Sequence, residues 1–483
     1  MPSSVIVALH RTPLAVVLSA LVACGHVPST QVTAQPAPRL SVETSDALPD
    51  HWWQLYRDPQ LDALVEKALR ENKDLEAAGA HVDALLAQLQ QFEGERRAST
   101  TLSYGLDYGR SRDDQTLAKA SGQSADGQWS HTPQFSLSYT LDLWGAVRYR
   151  IAAARADAQV ARAMEDEWRV TVAAQTARAY AQACVYTQQA QVQRHSVQLL
   201  EQSVDITQRL RHAGAATELD VARLQGLLEE TRAPLPMFTA RRQSALYELA
   251  ALSGQTPEKV IALRCAQAPQ LQAPLPVGEG WPLVQRRADI RRAEARLRSA
   301  TASTGVARAQ LYPRITFGAM LGSSAASLGK LGNADAVVYG IGPLLSWQFP
   351  DRQIAHARIS QRQAETHQAL AQFDATVLGA LKQVEQALAL YQGEQQRRQA
   401  VADALDNSRR AFDLARRGFQ AGGLDALQLL DSERNRVSLE ARLAQVDLQL
   451  INRQIDVFQA LGGGWQRDDP ASSLTVNTLG ARP

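Results

Sequence analysis

The sequence predicts a mainly α-helical fold with a transmembrane β part, and three observations carry the prediction. The chain is internally duplicated, with two glycine breaks, at Gly214 and at Gly422-Gly423, set in similar surroundings. Each half holds an uninterrupted helical stretch of roughly seventy residues, about 100 Å at the usual rise. Each half also holds two segments that alternate apolar and polar residues over about ten positions, enough for a tilted membrane strand.

The first element in chain order is an address. His10 and Arg11 precede a short apolar run, Leu14 to Val22, which ends at a cysteine. That run is too short to span a bilayer and reads as a secretory signal peptide over residues 1–23. Leu21-Val22-Ala23-Cys24 resembles a bacterial lipobox. The resemblance implies a diacylglycerol group on the Cys24 sulfur and, after cleavage, an acyl chain on its amino group, making residues 24–60 a lipid-anchored segment. Gly25 follows rather than Asp, so the outer membrane is the expected destination. A chance cysteine behind an ordinary signal peptide is the alternative. The formal net charge of +2, with 45% hydrophobic and 6% aromatic residues, points to no nucleic-acid partner. Beyond the signal no stretch approaches the eighteen or so apolar residues of a membrane helix, so any crossing must use strands.

The first repeat occupies residues 61–254 and the second 283–464, joined by a connector at 255–282 and followed by a tail at 465–483. In the first, a short helix at Leu61 to Arg97 leads to strands at Thr101 to Tyr108 and Gln134 to Leu143. A long helix from Trp144 to Arg211, a glycine turn and a helix from Thr217 to Leu252 complete it. The second repeats the order, with strands around Ile315 to Leu321 and Val337 to Phe349 and a long helix from Arg352 to Phe419. Such long helices cannot bury a stripe inside one globule and should lie side by side as a coiled-coil array. Alanine at their inner positions, as in Val172-Ala173-Ala174, permits close approach. The segments Arg110 to His131 and Gly322 to Ala336 are polar and glycine-rich, as external loops should be.

In the first strand Leu102, Tyr104, Leu106 and Tyr108 alternate with Ser103, Gly105 and Asp107. Four such strands cannot close a barrel, because the smallest membrane barrels need about eight. An open edge is not tolerated in lipid, so the chain must oligomerise, and three copies leave a wider passage than two.

At this point the chain is similar to the TolC-like outer-membrane efflux family, in its lipoprotein (NodT-type) branch. The stretches that carry the resemblance are Leu48 to Leu64, which opens Leu48-Pro49-Asp50-His51-Trp52-Trp53, then Arg286-Arg287-Ala288-Asp289-Ile290 with Ala293-Glu294, Leu311-Tyr312-Pro313-Arg314-Ile315 and Ala460-Leu461-Gly462-Gly463-Gly464-Trp465. Ala288 stands where the family usually has proline. The resemblance implies a homotrimer with a twelve-stranded β-barrel, four strands per chain, continued by a twelve-helix periplasmic α-barrel with a mixed equatorial domain. It also implies a passive duct for drugs or other small molecules, with outer-membrane lipids around it and a periplasmic adaptor and an inner-membrane RND pump as partners. A type I protein-secretion duct, or a periplasmic coiled-coil lipoprotein that forms no channel, are the alternatives.

Within such a duct, Asp220, Gln428 and Asp431 are the candidate channel-aperture residues at the far end of the helices, with solvated helix-end residues as the alternative for the two aspartates. Repeated about a three-fold axis, carboxylates there would form a cation-favouring constriction, and Gln428, where the family usually has an acid, weakens it. Gly214, Ala216, Gly422 and Leu424 are the candidate adaptor contacts, although glycine is also the ordinary helix C-cap. Arg416 and Arg417 could latch neighbouring hairpins or could simply be solvated. Cys184, about 60 Å along its helix, and Cys265 in the connector are candidates for a disulfide in an oxidising compartment, with free buried thiols as the alternative. No zinc-protease, nucleophile-elbow, phosphate-loop or metal-spaced cysteine and histidine motif occurs, so neither an enzyme nor a cofactor is expected.

Overall fold

A computed structural model describes residues 49–110, 112–124, 126–214, 216–258, 263, 265, 269–271, 275, 286–347, 352–421, 423–424 and 426–463. The expected signal peptide, Cys24 and the tail at 465–483 lie outside the described residues. The chain divides into two compact units: residues 90–153 with 300–365, and residues 49–89, 154–299 and 366–463.

The first unit is built on one four-stranded antiparallel sheet in the order β1 (Ser99–Gly109), β2 (Gln128–Leu141), β3 (Arg314–Ser323), β4 (Val337–Ser346). Registers such as Leu102↔Phe135, Leu137↔Ala319 and Phe317↔Pro343 place most of the apolar members of the strands on one face. The other face carries mostly hydroxyls, amides and glycine. This is the two-sided alternation that the sequence predicts, and β1 and β4 are the sheet's edges. At the end of the sheet remote from the loops, Trp144 stacks on Tyr312 at 4.5 Å, and its Nε1 donates to the Pro313 carbonyl at 2.9 Å. The Asp142 carboxylate accepts from the backbone N–H groups of Val147 and Arg148, both at 3.0 Å. It thereby satisfies open donors at the start of the following long helix.

Two expectations are corrected in this unit. The segment expected as a loop from Arg110 to His131 contains a helix, Arg112–Ala120, and β2 begins at Gln128 rather than Gln134. The strand extends because Trp129 and His131 continue the apolar row opposite Tyr108 and Leu106, and Pro133 is accepted opposite Tyr104.

We number the helices α1 (Pro59–Glu71), α2 (Lys73–Gly94), α3 (Arg112–Ala120), α4 (Ala146–His212), α5 (Glu218–Arg232), α6 (Leu235–Leu252), α7 (Ala288–Ala309), α8 (Arg352–Gln420) and α9 (Ala426–Ala460). The long pair, α4 and α8, have 67 and 69 residues, close to expectation. The two shorter helices of the first repeat are each broken. Asn72 ends α1 and starts α2, its Oδ1 accepting from Asp74 and Leu75 N–H while its Nδ2 donates to the Leu252 carbonyl. Pro234 separates α5 from α6, since a proline has no N–H to give the preceding turn.

The core of the second unit gathers a 3-10 turn, Trp52–Tyr56, with α1, α4, α6 and α9. Trp52 is 1% exposed and stacks on Phe458 at 4.7 Å. Around it lie Val65, Leu249, Ile455 and the alanine-rich middle of α4, which buries Ala173, Ala177 and Ala181. Small side chains there let neighbouring helices approach closely. Two buried hydroxyls knit the turn in: Tyr56 donates to Gln454 Oε1 at 3.0 Å, and Tyr180 donates to Asp58 Oδ2 at 2.6 Å. Burial pushes both phenols well above the usual tyrosine range, so they stay donors. Cys184, fully buried in α4, and Cys265 are joined by a disulfide.

Candidate functional site

The candidate aperture and contact residues fall on the turns that join α4 to α5 and α8 to α9, in the second unit. At the first turn Gly214 ends α4 with φ +74°, a conformation that favours glycine, and its N–H donates to the Arg211 carbonyl. Thr217 then opens α5 as its N-cap. Its hydroxyl accepts from the Asp220 N–H, and the Asp220 carboxylate accepts from the Thr217 N–H at 3.0 Å and from its hydroxyl at 2.6 Å. Asp220 is thus one half of a capping box. These bonds to the charged form hold its carboxyl below the usual carboxylate range. Arg211 and Glu218 pair across the turn, and Ala216 is half-buried between them in sequence.

At the second turn the Ala421 N–H donates to the Arg417 carbonyl, and the Gly423 N–H to the Gly418 carbonyl. The Leu424 side chain folds back onto Gly418, where a Cβ would lie 2.6 Å from Leu424 Cδ1, so a larger residue at 418 would have to displace it. Gly422 lies outside the described residues. Gln428 and Asp431 are exposed on the first two turns of α9. Arg416 pairs with Asp413 of its own helix at 3.6 Å.

The structure packs the two hairpins of one chain against each other. Leu430 of α9 joins an apolar cluster of Val197, Leu200 and Val204 from α4 with Leu224 and Leu228 from α5. One turn on, Arg434 grips Glu230 of α5 with bonds of 3.1 and 3.2 Å, and Arg232 reaches Glu201 of α4 at 2.6 Å. On the other flank Glu440 is shared by Arg436 at 3.0 Å and Arg409 of α8 at 3.5 Å, and the Arg436 guanidinium lies over the Phe412 ring. Glu433 is half-sequestered beside this group, and burial raises its pKa against the opposing pull of Arg436 and His195. Asp220 and Asp431 share no hydrogen-bond partner or counter-ion among the described residues.

Sequence reasoning missed these inter-helix pairs, because residues as far apart as Glu230 and Arg434 carry no local signal. It also missed the role of Arg287. That side chain, 8% exposed, forks onto Asp289 at 2.8 and 3.0 Å, reaches Gln383 at 2.7 Å and donates to the Ala460 carbonyl at 2.5 Å. One buried guanidinium therefore ties the start of α7 to α8 and to the end of α9. It borders a groove of about 460 Å³ lined also by Glu167, Gln386 and Gly462. Among the described residues no group of acidic, histidine or cysteine side chains has the arrangement of a metal site.

The profile of the outer membrane efflux protein family matches residues 64–255 and 283–463. The chain is 29% identical over 474 residues to the pyoverdine export outer membrane protein OpmQ of Pseudomonas putida, covering 95% of this chain and 98% of that one. It is 30% identical to OpmQ of Pseudomonas aeruginosa, covering 92% and 95%. Among solved structures, the outer-membrane channel OprN superimposes with a TM-score of 0.83 at 29% identity, over 92% of this chain and all of that one. CusC, at 22% identity and a TM-score of 0.79 over 90% of this chain, shares the fold.

Proposed function

The chain belongs to the outer membrane efflux protein family and is a TolC-like outer-membrane efflux channel, and on that premise we propose that it works as a lipid-anchored homotrimer, the passive exit duct of a tripartite RND-type pump. The observation that carries the trimer is the four-stranded sheet, apolar on one face, with two unpaired edges. Each edge of a strand crossing hydrocarbon leaves several backbone groups without partners, and each such group costs several kcal/mol. Pairing β4 of one copy with β1 of the next removes every edge only when the ring closes. Three copies give twelve strands.

In this reading Cys24 carries the diacylglycerol and acyl chains that tether the trimer, and a periplasmic adaptor couples it to the inner-membrane pump that supplies the energy. The adaptor docks at the helix turns, on Gly214, Ala216, Gly422 and Leu424. Crosslinking from Ala216→Cys and Leu424→Cys to the co-expressed adaptor should therefore exceed that from exposed mid-helix controls such as Leu378→Cys; equal yields would remove the turns from the contact. The two OpmQ relatives are named for pyoverdine export, which makes pyoverdine the first cargo to try.

Asp220, Gln428 and Asp431 line the aperture. The duct reading is tested by reconstituting the purified protein in planar bilayers, where discrete conductance steps are expected. A silent bilayer with well-folded protein would instead favour the non-channel lipoprotein. In conducting preparations Asp431→Ala should lower the ratio of potassium to chloride permeability severalfold, since a ring of carboxylates favours cations. An unchanged ratio would take Asp431 out of the aperture.

A further inference from the structure

The inner wall of the barrel can be read residue by residue, because strand partners share a face and successive residues alternate. On the polar face, among the described residues of the four strands, two carry a formal charge. Arg314 opens β3 opposite Ser346, and Asp107 lies near the end of β1 opposite Ser130. The rest of that face is serine, threonine, glutamine, glycine and a few apolar side chains. Both charged side chains are exposed, and neither enters an ion pair among the described residues. The antiparallel order sets them at opposite ends. Arg314 is at the end where α4 follows β2, and Asp107 is beside the connection that carries α3.

Resting on the trimeric-channel reading, we propose that Arg314 and Asp107 form two rings of opposite charge on the wall of the closed barrel, a charge filter that favours anions at one mouth and cations at the other. The Arg314 ring, at the periplasmic mouth, concentrates anions and repels cations. The Asp107 ring, at the outer mouth, attracts cations and repels anions whichever way they travel. The rings are separated by about twelve strand residues, roughly 40 Å along the strand. That is several Debye lengths at physiological salt, so they do not neutralise each other. A charged side chain on the wall of a water-filled tube acts on solutes that pass within about a Debye length of it, which is how charged rings set preference in pores.

Whole-channel current reports the tightest constriction, and the carboxylates proposed at the helix turns favour the opposite sign, so the wall must be probed locally. Thr140 faces Thr316, two residues from Arg314 and on the same face, whereas Leu141 faces Ile315 on the apolar face. Single cysteines at Thr140→Cys and Leu141→Cys, in trimers reconstituted in liposomes, would be treated with anionic and cationic methanethiosulfonate reagents of equal size. The channel reading expects Thr140→Cys to react and Leu141→Cys to be shielded by lipid; the reverse pattern, or equal reaction, overturns that reading and this inference with it. Given the expected pattern, adding Arg314→Gln should lower the ratio of anionic to cationic reaction rates at Thr140→Cys by about twofold or more. Arg314→Lys should restore it. At Ser130→Cys, adding Asp107→Asn should raise the same ratio by a similar factor. Ratios unmoved by Arg314→Gln, with Thr140→Cys reactive and Leu141→Cys shielded, would overturn the filter while leaving the channel standing.

Discussion

Trp52→Ala should destabilise the second unit by about 3–5 kcal/mol, the usual range for deleting a fully buried large aromatic. The indole is 1% exposed, stacked on Phe458 at 4.7 Å and edge-on to Trp53 and Tyr56. Removing it opens a cavity bounded by elements from opposite ends of the chain, α1 and α9, which cannot both collapse inward without losing the Tyr56–Gln454 and Tyr180–Asp58 hydrogen bonds. Trp53→Phe is the informative contrast. Trp53 is as deeply buried, but its Nε1 has no hydrogen-bond partner among the described residues, so phenylalanine gives up volume while relieving an unmet donor. Its cost should stay below that of Trp52→Ala, because less volume is removed. Denaturant midpoints followed by far-ultraviolet dichroism would compare the two variants; equal losses would mean that the Trp52 stack contributes no more than the indole of Trp53.

The Trp52-Trp53 pair illustrates what was legible. As a sequence feature it carried the family resemblance without a reason; the structure supplies one, a core plug between the start and the end of the chain. Periodic signals read well because they are local. The strands, the two long helices and the order of the two halves all came from alternation or from the absence of breakers. What was not legible depends on partners distant in sequence. Asn72 breaks a helix where its amide can reach the Leu252 carbonyl, 180 residues away, and no pattern around Asn72 announces that. Pro234 and Pro236 do announce the second break. At Asp220 the local signal was present: Thr217 followed three residues later by an acid is a capping-box pattern. A capping carboxylate is committed to its own backbone, so of the two acidic aperture candidates Asp431, whose charge caps nothing of this kind, has the freer side chain.

Replacing Cys184 and Cys265 together with alanine should cost about 2–5 kcal/mol, comparable to the loss of the Trp52 plug. The bond spans 81 residues of sequence, and closing a loop of that length removes much of the freedom of the unfolded chain, worth up to about 4.5 kcal/mol in the entropy model. It anchors the connector to α4 at a point where Cys184 is fully buried within the main core, alongside Leu263 and Leu271 of the connector itself. Burial also decides how the bond responds to reductant. A thiolate must approach a sulfur atom to exchange, and with Cys184 buried and Cys265 half-buried the folded protein should be reduced more slowly than the unfolded one. Thiol titration of denatured, unreduced protein should therefore find Cys184 and Cys265 unreactive, and reduction under denaturing conditions should release two thiols per chain. The double alanine variant and the reduced wild type should then share one lowered denaturant midpoint. If the variant instead unfolds at the wild-type midpoint, the apolar contacts of Leu263 and Leu271 suffice to hold the connector, and the disulfide adds a covalent link without adding stability.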